Sequence, residues 1–389
     1  MSGTWWVGQK ELDDDQRKII SLPIDDRVLV TGPPGSGKTN LLLLRANYLH
    51  LAGKRNIAVV VFTRALREFI ARGSAQYDFP ASKVMTCRQW QLDLLRQYGG
   101  SVPKVSGKFE ADRAAFITAI TDLANKMKLS NIFDAILLDE GQDYTRGEIQ
   151  LFARLTAQLF CVADERQKIY EGEDSLETIK SCVGDPHVLR FHYRNGVKIC
   201  RVADEIAKKW HGYQPMAETS NYDEKANPST VDSEQCKSVA EQAALIVSRL
   251  GTQCIAFPDQ LIGVLSPTKN TMNAIWKAIS ESNHSDAAFL LHGRTSNSFP
   301  PDKPILVSTF HAAKGLEFRA LHLAACDELK SSFFKNNRRV TFTAVTRAKT
   351  ALSVYHSGDL YPYFEAALQS LKPAPEPPSL DDVFGGSTK

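Results

Sequence analysis

Arg27-Val-Leu-Val-Thr31-Gly32-Pro33-Pro34-Gly35-Ser36-Gly37-Lys38-Thr39-Asn40 decides the fold of this chain. The β-branched run Arg27 to Thr31 predicts a short strand, and Asn40 to Ala52 predicts a helix. Between them, Gly32 to Thr39 fits the spacing G-x-x-x-x-G-K-[ST]. That loop needs its glycines because successive backbone N–H groups must turn inward on phosphate oxygens at a helix N-terminus. Gly32, Pro33, Gly35, Ser36 and Gly37 form the cradle, with Asn40 opening the helix behind it. Lys38 is placed to reach β- and γ-phosphates, and the Thr39 hydroxyl to bind Mg2+. The ligand this loop calls for is a nucleoside triphosphate.

Working outward, strand-like runs alternate with helical patterns along most of the chain. Ile57 to Phe62, Val84 to Thr86, Asp134 to Asp139 and Leu159 to Ala163 read as strands. Helical stretches lie between them at Ala65 to Arg72, Arg88 to Tyr98 and Glu110 to Lys128. Continuous apolar strands of this kind are covered on both faces, and strand–helix alternation implies a parallel sheet. The pattern weakens between Glu171 and Asp185. It then resumes with strand candidates at His187 to Phe191, Gln260 to Leu265, Pro304 to Ser308, Ala320 to Ala324 and Ala351 to Tyr355, and helices at Ser233 to Leu250 and Asn270 to Glu281. The expectation is two α/β domains, residues 1–182 and 183–372. Residues 373–389 contain Lys372-Pro-Ala-Pro-Glu-Pro-Pro-Ser379 and a terminal Gly-Gly, and read as a disordered tail. Trp5 and Trp6 carry no assignment.

Composition narrows the class. Of 389 residues, 43% are hydrophobic and 23% charged, as in ordinary globular proteins. The 47 Lys and Arg against 44 Asp and Glu leave +3, which neither demands nor excludes nucleic acid. Seven scattered cysteines without a C-x-x-C pair argue against a zinc knuckle or a disulfide framework. No apolar run approaches a membrane span, so the sequence reads as a cytoplasmic protein.

A second constellation, Asp139-Glu140-Gly141-Gln142-Asp143, follows the Asp134 to Asp139 strand. Ligands of open α/β sheets bind at the carboxyl ends of the strands. There Asp139 would hold Mg2+ and Glu140 would orient and deprotonate the attacking water.

With these residues quoted, the chain resembles superfamily 1 helicases of the UvrD/Rep/PcrA type, in a compact form. The resemblance runs in order from Gln16 to Arg347. Leu12-Asp-Asp-Asp-Gln16 looks like the Q motif, whose glutamine reads adenine. Val59-Val-Val-Phe62-Thr63, followed by Arg64, resembles motif Ia, and Thr86 lies where motif Ib begins; both contact single-stranded DNA in the family. Asp139 to Asp143 is similar to motif II. Val162-Ala-Asp164-Glu-Arg-Gln167-Lys-Ile-Tyr170 looks like motif III, whose glutamine senses the γ-phosphate. His192-Tyr193-Arg194 resembles motif IV, where the tyrosine stacks on adenine and the arginine contacts the γ-phosphate. Val307-Ser-Thr309-Phe-His311-Ala-Ala-Lys314-Gly315-Leu-Glu317-Phe318 resembles motif V, with Thr309, His311 and Lys314 on the nucleic-acid side and Glu317 on the nucleotide side. Thr343-Ala-Val-Thr346-Arg347-Ala348-Lys349 is similar to motif VI, and Arg347 is its arginine finger.

The resemblance implies two RecA-like P-loop NTPase domains with ATP and Mg2+ in the cleft between them. It implies a motor that translocates on single-stranded DNA, with RNA as an alternative strand and no membrane partner. Three departures stand out. The intervals Lys38 to Asp139 and Arg194 to Thr309 hold little beyond a RecA-like core, so the accessory domains that grip duplex in the family are missing or vestigial. Tyr170 is followed by Glu171-Gly172-Glu173-Asp174 where the family places a base-stacking tryptophan. Arg64 stands where an asparagine is usual. A stripped motor of this kind suits a protein partner, in a DNA repair or anti-phage defence complex. The alternative expectation is an ATP-controlled switch subunit of a nuclease complex with little unwinding.

Overall fold

The computed structural model describes residues 11–73, 77–169, 175–292, 300, 302–330 and 336–372. The expectations attached to Trp5-Trp6, to Tyr170 through Asp174 and to the tail 373–389 lie outside the described residues. Four strands of the first domain alternate cleanly between two faces. In the apolar strands around the P-loop, Val28, Val30, Val59, Val61, Leu137 and Val162 join one buried cluster, while Leu29, Ala58, Val60, Ile136, Leu138 and Cys161 join another. Side chains alternate across a pleated strand, so two clusters mean that both faces of the sheet are covered.

The first sheet contains β1 (Val28–Thr31), β2 (Ile57–Val61), β3 (Val84–Thr86), β4 (Phe133–Leu138), β5 (Thr156–Ala163) and β6 (His187–Val188), in the order β3-β2-β4-β5-β1-β6. The second contains β7 (Thr230–Gln235), β8 (Ile262–Ser266), β9 (Ala288–Leu290), β10 (Ile305–Thr309), β11 (Phe318–Leu323) and β12 (Ala348–His356), in the order β7-β12-β11-β8-β10-β9. Every pairing in both sheets is parallel. The chain therefore folds as two RecA-like α/β domains.

Sheet order places the chemistry. β5 lies between β4 and β1, with Thr31 opposite Ala163 and Leu138 opposite Cys161. The P-loop, Asp139 and Asp164 thus leave neighbouring strands at one edge. In the second sheet Phe318 pairs with Ala348, which sets the preceding residues Glu317 and Arg347 side by side.

Three sequence expectations shift. His187–Val188 pairs with β1, so the first sheet runs past residue 182. β7 and β9 were absent from the sequence reading. β7 is an edge strand, Thr-Val-Asp-Ser-Glu-Gln, largely exposed; it has no apolar face to reveal it. The expected helix from Ser233 accordingly begins at Val239, capped by Ser238, whose side chain accepts from Glu241 N.

One buried ion pair braces the first domain. Arg113, on the helix Phe109–Lys126, donates through Nε to both Glu148 carboxylate oxygens at 2.9 and 3.0 Å and through Nη2 to Asp143 O at 2.6 Å. Glu148 also accepts from Thr145 N at 2.9 Å, closing a capping box on the helix Arg146–Leu155. Removing one partner of a buried pair strands the other charge, a cost of about 3–5 kcal/mol. Glu148→Ala should lower unfolding free energy in urea by roughly that amount; a loss below about 1 kcal/mol, the range of an exposed pair, would contradict the brace.

Candidate active site

A cavity of about 430 Å3 opens between the two sheets, and residues from both line it. On the first-domain side, the P-loop passes into the helix Lys38–Leu51 through Gly37 in the left-handed region (φ 82°). Gly35 is also left-handed (φ 78°), and a Cβ there would lie 2.4 Å from Arg194 Cβ. Glycine is thus required at Gly35 both by the turn and by the approach of the second domain. Lys38 Nζ donates to Gly32 O and Pro33 O, both at 2.8 Å, so the ammonium caps the loop's own carbonyls. Burial pulls the Lys38 ammonium down to about 8. Ser36 and Asn40 are buried, and Asn40 Nδ2 has no partner among the described residues.

Thr39 Oγ1 donates to Asp139 Oδ2 at 2.9 Å, and Asp139 Oδ1 accepts from Glu140 N at 2.8 Å. A hydroxyl and a carboxylate are hard oxygen donors, the set that suits Mg2+ with its remaining positions on water and phosphate. Burial, reinforced by the Glu140 charge, holds the Asp139 carboxyl above its ordinary value. Burial acts the same way on Glu140, but Lys314 and Arg347 outweigh it and leave Glu140 below its ordinary value. Glu140 sits at φ 52°, the left-handed region, opening a tight turn from Gly141 to Asp143. A glutamate held there pays about 1–3 kcal/mol of strain. Gln142 holds it, donating to Glu140 Oε2 while its own Oε1 accepts from Asp164 N at 2.9 Å. Gln167 Nε2 donates to Asp164 Oδ2 at 2.9 Å, and its Oε1, without a partner among the described residues, belongs to a residue on the cavity wall.

The second domain contributes Arg194, Glu317, Arg347 and Lys349 to the cavity wall. Arg194 pairs with Glu317, and Lys349 Nζ lies 3.0 Å from the other Glu317 oxygen. Burial would raise the Glu317 carboxyl, yet the Arg194 and Lys349 charges bring it down to about 2. Arg347 is 3% exposed, and burial beside Arg194 holds its guanidinium below its ordinary value. Arg194 Nε and Nη1 and Arg347 Nη2 have no partner among the described residues. Asn195 explains why these arginines meet: its Nδ2 donates to Thr346 O at 2.9 Å and Ala348 O at 2.6 Å, and Gly196 N donates to Lys349 O at 2.8 Å. The segment carrying Arg194 is thereby tied to the segment carrying Arg347.

Gln16 lies in the helix Asp14–Ile20, 2% exposed, with Nε2 donating to Ser36 O at 3.0 Å. Tyr193, 38% exposed, donates its hydroxyl to Asp13, and Tyr193 N donates to Gly35 O at 3.1 Å.

The expected strand-contacting residues divide. Thr63, Arg64, Thr86, Thr309 and His311 are exposed or half-buried. Thr86 caps the helix Cys87–Gln97, and Thr63 Oγ1 donates to Lys314 O at 3.2 Å across the cleft. Phe62 is half-buried, edge-on to Tyr144 at 5.8 Å and to Phe109 at 6.3 Å. Lys314 corrects the expectation. It is 1% exposed, donates to Asp143 Oδ2 and, at 2.7 Å, to Gln167 O, and stands 4.0 Å from Glu140 Oε2. Facing the carboxylates of the first domain, its ammonium is enclosed in protein.

Sequence reasoning passed over Asn195, Lys349, Tyr222, Arg319 and Phe109. Asn195 directly follows Arg194, and Lys349 closes the quoted segment that carries Arg347 without having been given a role, so both were within reach. Tyr222 and Arg319 reach the cavity wall without any motif spacing to mark them. Phe109 is a 51% exposed ring beside Phe62, with the Arg113 guanidinium 5.7 Å from its centroid.

Residues 304–355 match the family of UvrD-like helicase C-terminal domains, and residues 16–173 match a family described as AAA domain. No curated protein sequence matches. Among solved structures, the C-terminal domain of a possible DNA helicase from Lactobacillus plantarum WCFS1 overlaps 44% of this chain and 91% of its own, at 18% identity and TM-score 0.31. The PRRSV helicase overlaps 87% of this chain at 15% identity and TM-score 0.41, and the arterivirus nonstructural protein 10 helicase overlaps 91% at the same values. The chain spans 54% and 64% of the length of those two viral proteins. No described helix is long and apolar enough to cross a membrane. The two family matches fall one on each RecA-like domain: the first, which carries the nucleotide-binding P-loop, is similar to AAA domains, and the second is similar to UvrD-like helicase C-terminal domains.

Proposed function

We propose that this chain is an ATP-hydrolysing motor that moves on single-stranded DNA, within a larger repair or defence assembly. The observation carrying the ATPase reading is the set of cations, half-buried Lys38 and Arg194 and buried Arg347, around one cavity, with arginine N–H groups left unpartnered there among the described residues. Unpaired buried donors cost free energy, and a polyphosphate satisfies them. Arg194 and Arg347 come from the opposite domain to Lys38, the arrangement of an arginine finger, worth about 10³–10⁵ in rate.

In this reading Glu140, kept ionised by Lys314 and Arg347, orients the attacking water and accepts its proton. Gln167 Oε1 helps place that water or reads the γ-phosphate. Bound Mg2+, held through Thr39 and Asp139, would neutralise phosphate charge. Tyr193 lies against the base, and Glu317 holds Arg194 until phosphate competes for it.

The strand side rests on Phe62, Thr63, Arg64, Thr86, Thr309 and His311, joined by Phe109. An exposed aromatic stacks bases of any sequence, for about 1–3 kcal/mol each. Phe109 is also pre-set: Asp112 accepts from Ser106 N at 2.6 Å, Ser106 Oγ at 2.7 Å and Gly107 N at 3.1 Å, pinning the loop that leads into its helix.

Three sets of variants test this. Lys38→Ala and Glu140→Gln should abolish phosphate release, with Glu140→Gln still binding a fluorescent ATP analogue; normal turnover by Glu140→Gln would remove it as the base. Arg347→Ala should cut kcat by about 10³-fold or more while nucleotide affinity changes little; an unchanged kcat would take it out of the finger role. Phe109→Ala should weaken binding of a labelled oligo-dT by about tenfold, read by fluorescence anisotropy. Equal affinity would place the strand elsewhere.

A further inference from the structure

Among the described residues each sheet ends in two edge strands. β3, β6 and β9 are 3, 2 and 3 residues long. Short edge strands are a common protection against another chain pairing there. β7 runs for 6 residues without a proline and pairs with β12 alone among the described residues. Its outer edge therefore carries N–H and C=O groups in the extended geometry that a further strand requires.

A second cavity, of about 500 Å3, lies against this strand and shares no lining residue with the nucleotide cleft. Val231, Leu360, Leu368 and Leu371 give it apolar walls, and all four also pack in the second domain's core. Around them stand three exposed carboxylates, Asp232, Asp359 and Glu365. Asp359 and Glu365 enter no ion pair among the described residues. Arg249 bonds Glu234 at 2.7 Å and stands 3.9 Å from Asp232. Lys372 is the one lysine or arginine among the lining residues. The groove is thus acidic, in a chain whose net charge is +3.

That sign selects the occupant. A polynucleotide strand is repelled by it. The chain beyond Lys372 fits no better. Residues 373–389 carry Glu376, Asp381 and Asp382 against Lys389, and Pro373, Pro375, Pro377 and Pro378 lack the N–H that a ladder needs. Side chains alternate along a strand, so Val231, Ser233 and Gln235 share the face toward the cavity. A strand added to β7 sends every second side chain to that same face. What fits is an extended chain whose apolar side chains enter the cavity while lysines or arginines reach the carboxylates.

We propose that the β7 edge docks a basic extended segment of a partner protein, which adds a strand to the second sheet and seats an apolar side chain in the cavity beside it. Strand addition draws affinity from main-chain hydrogen bonds and specificity from pockets for alternate side chains. The inference gives the assembly in the proposed function a surface. It does not depend on hydrolysis, and its test reads binding alone, so either can fail without the other.

The probe is a fluorescein-labelled peptide, acetyl-Lys-Val-Lys-Val-Lys-Val-Lys-amide, titrated with the full chain at low salt and read by anisotropy. It should bind saturably. Asp359→Lys combined with Glu365→Lys should weaken it by about tenfold or more, with oligo-dT and nucleotide binding as in the wild type. A peptide with proline in place of each valine keeps the charge and cannot pair as a strand; it should bind about tenfold more weakly or worse. No saturable binding by the wild type, equal affinity of the charge-reversed variant, or equal affinity for the proline peptide would overturn the proposal. A synthetic peptide of residues 373–389 should leave the probe bound; displacement by it would assign the groove to that segment instead. A dimer in light scattering that the charge reversal dissociates would assign the edge to a second copy, and overturns the proposal too.

Discussion

The closed cleft depends on one buried cation. Lys314 leaves the second domain between β10 and β11 and places its ammonium among groups of the first: the Asp143 carboxylate, the Gln167 carbonyl and, at 4.0 Å, the Glu140 carboxylate. Its own carbonyl accepts from Thr63. A buried ammonium is tolerated only when its donors are satisfied by well-placed acceptors. Here the acceptors Asp143, Gln167 and Glu140 all come from the opposite domain, so the charge itself specifies how the domains meet.

That contact joins the two sides of the molecule. Phe109 and Phe62 lie beside Arg113, which donates to Asp143 O and pairs with Glu148. Asp143 in turn pairs with Lys314, and Lys314 lowers the Glu140 carboxyl. The chain of packed charges therefore runs without a gap from the exposed aromatic surface to the carboxylate beside Thr39 and Asp139. An occupant that shifts Phe62 or the Thr309 to His311 turn has a physical route to Glu140. On the other side Asn195 locks Arg194 to the Arg347 segment, so the two arginines approach or leave the P-loop together.

Much of this was legible in the sequence because it is written in short, position-specific patterns. The P-loop requires glycine at left-handed positions, and Gly35 and Gly37 occupy them. The apolar runs before Gly32, Phe62 and Asp139 could only be strands covered on both faces. The parts that escaped have physical reasons. β7 is polar because it is an exposed edge strand. Phe109 lies far from any motif and matters through its exposure, which spacing does not report. The sequence reading grouped Lys314 with Thr309 and His311 as nucleic-acid contacts, yet its side chain is buried against Asp143 and Gln167 of the first domain. Gln16 was legible as a residue of the nucleotide wall; that its amide also bonds Ser36 O and Asp13 N required coordinates.

The central claim is that strand binding and hydrolysis are coupled in this chain. Steady-state ATP hydrolysis by the purified full chain, with and without single-stranded DNA and at low and physiological salt, tests it directly. The account predicts a large stimulation that weakens as salt rises, because phosphate contacts release counterions. Slow turnover that single-stranded DNA leaves unchanged at both salt concentrations would contradict it.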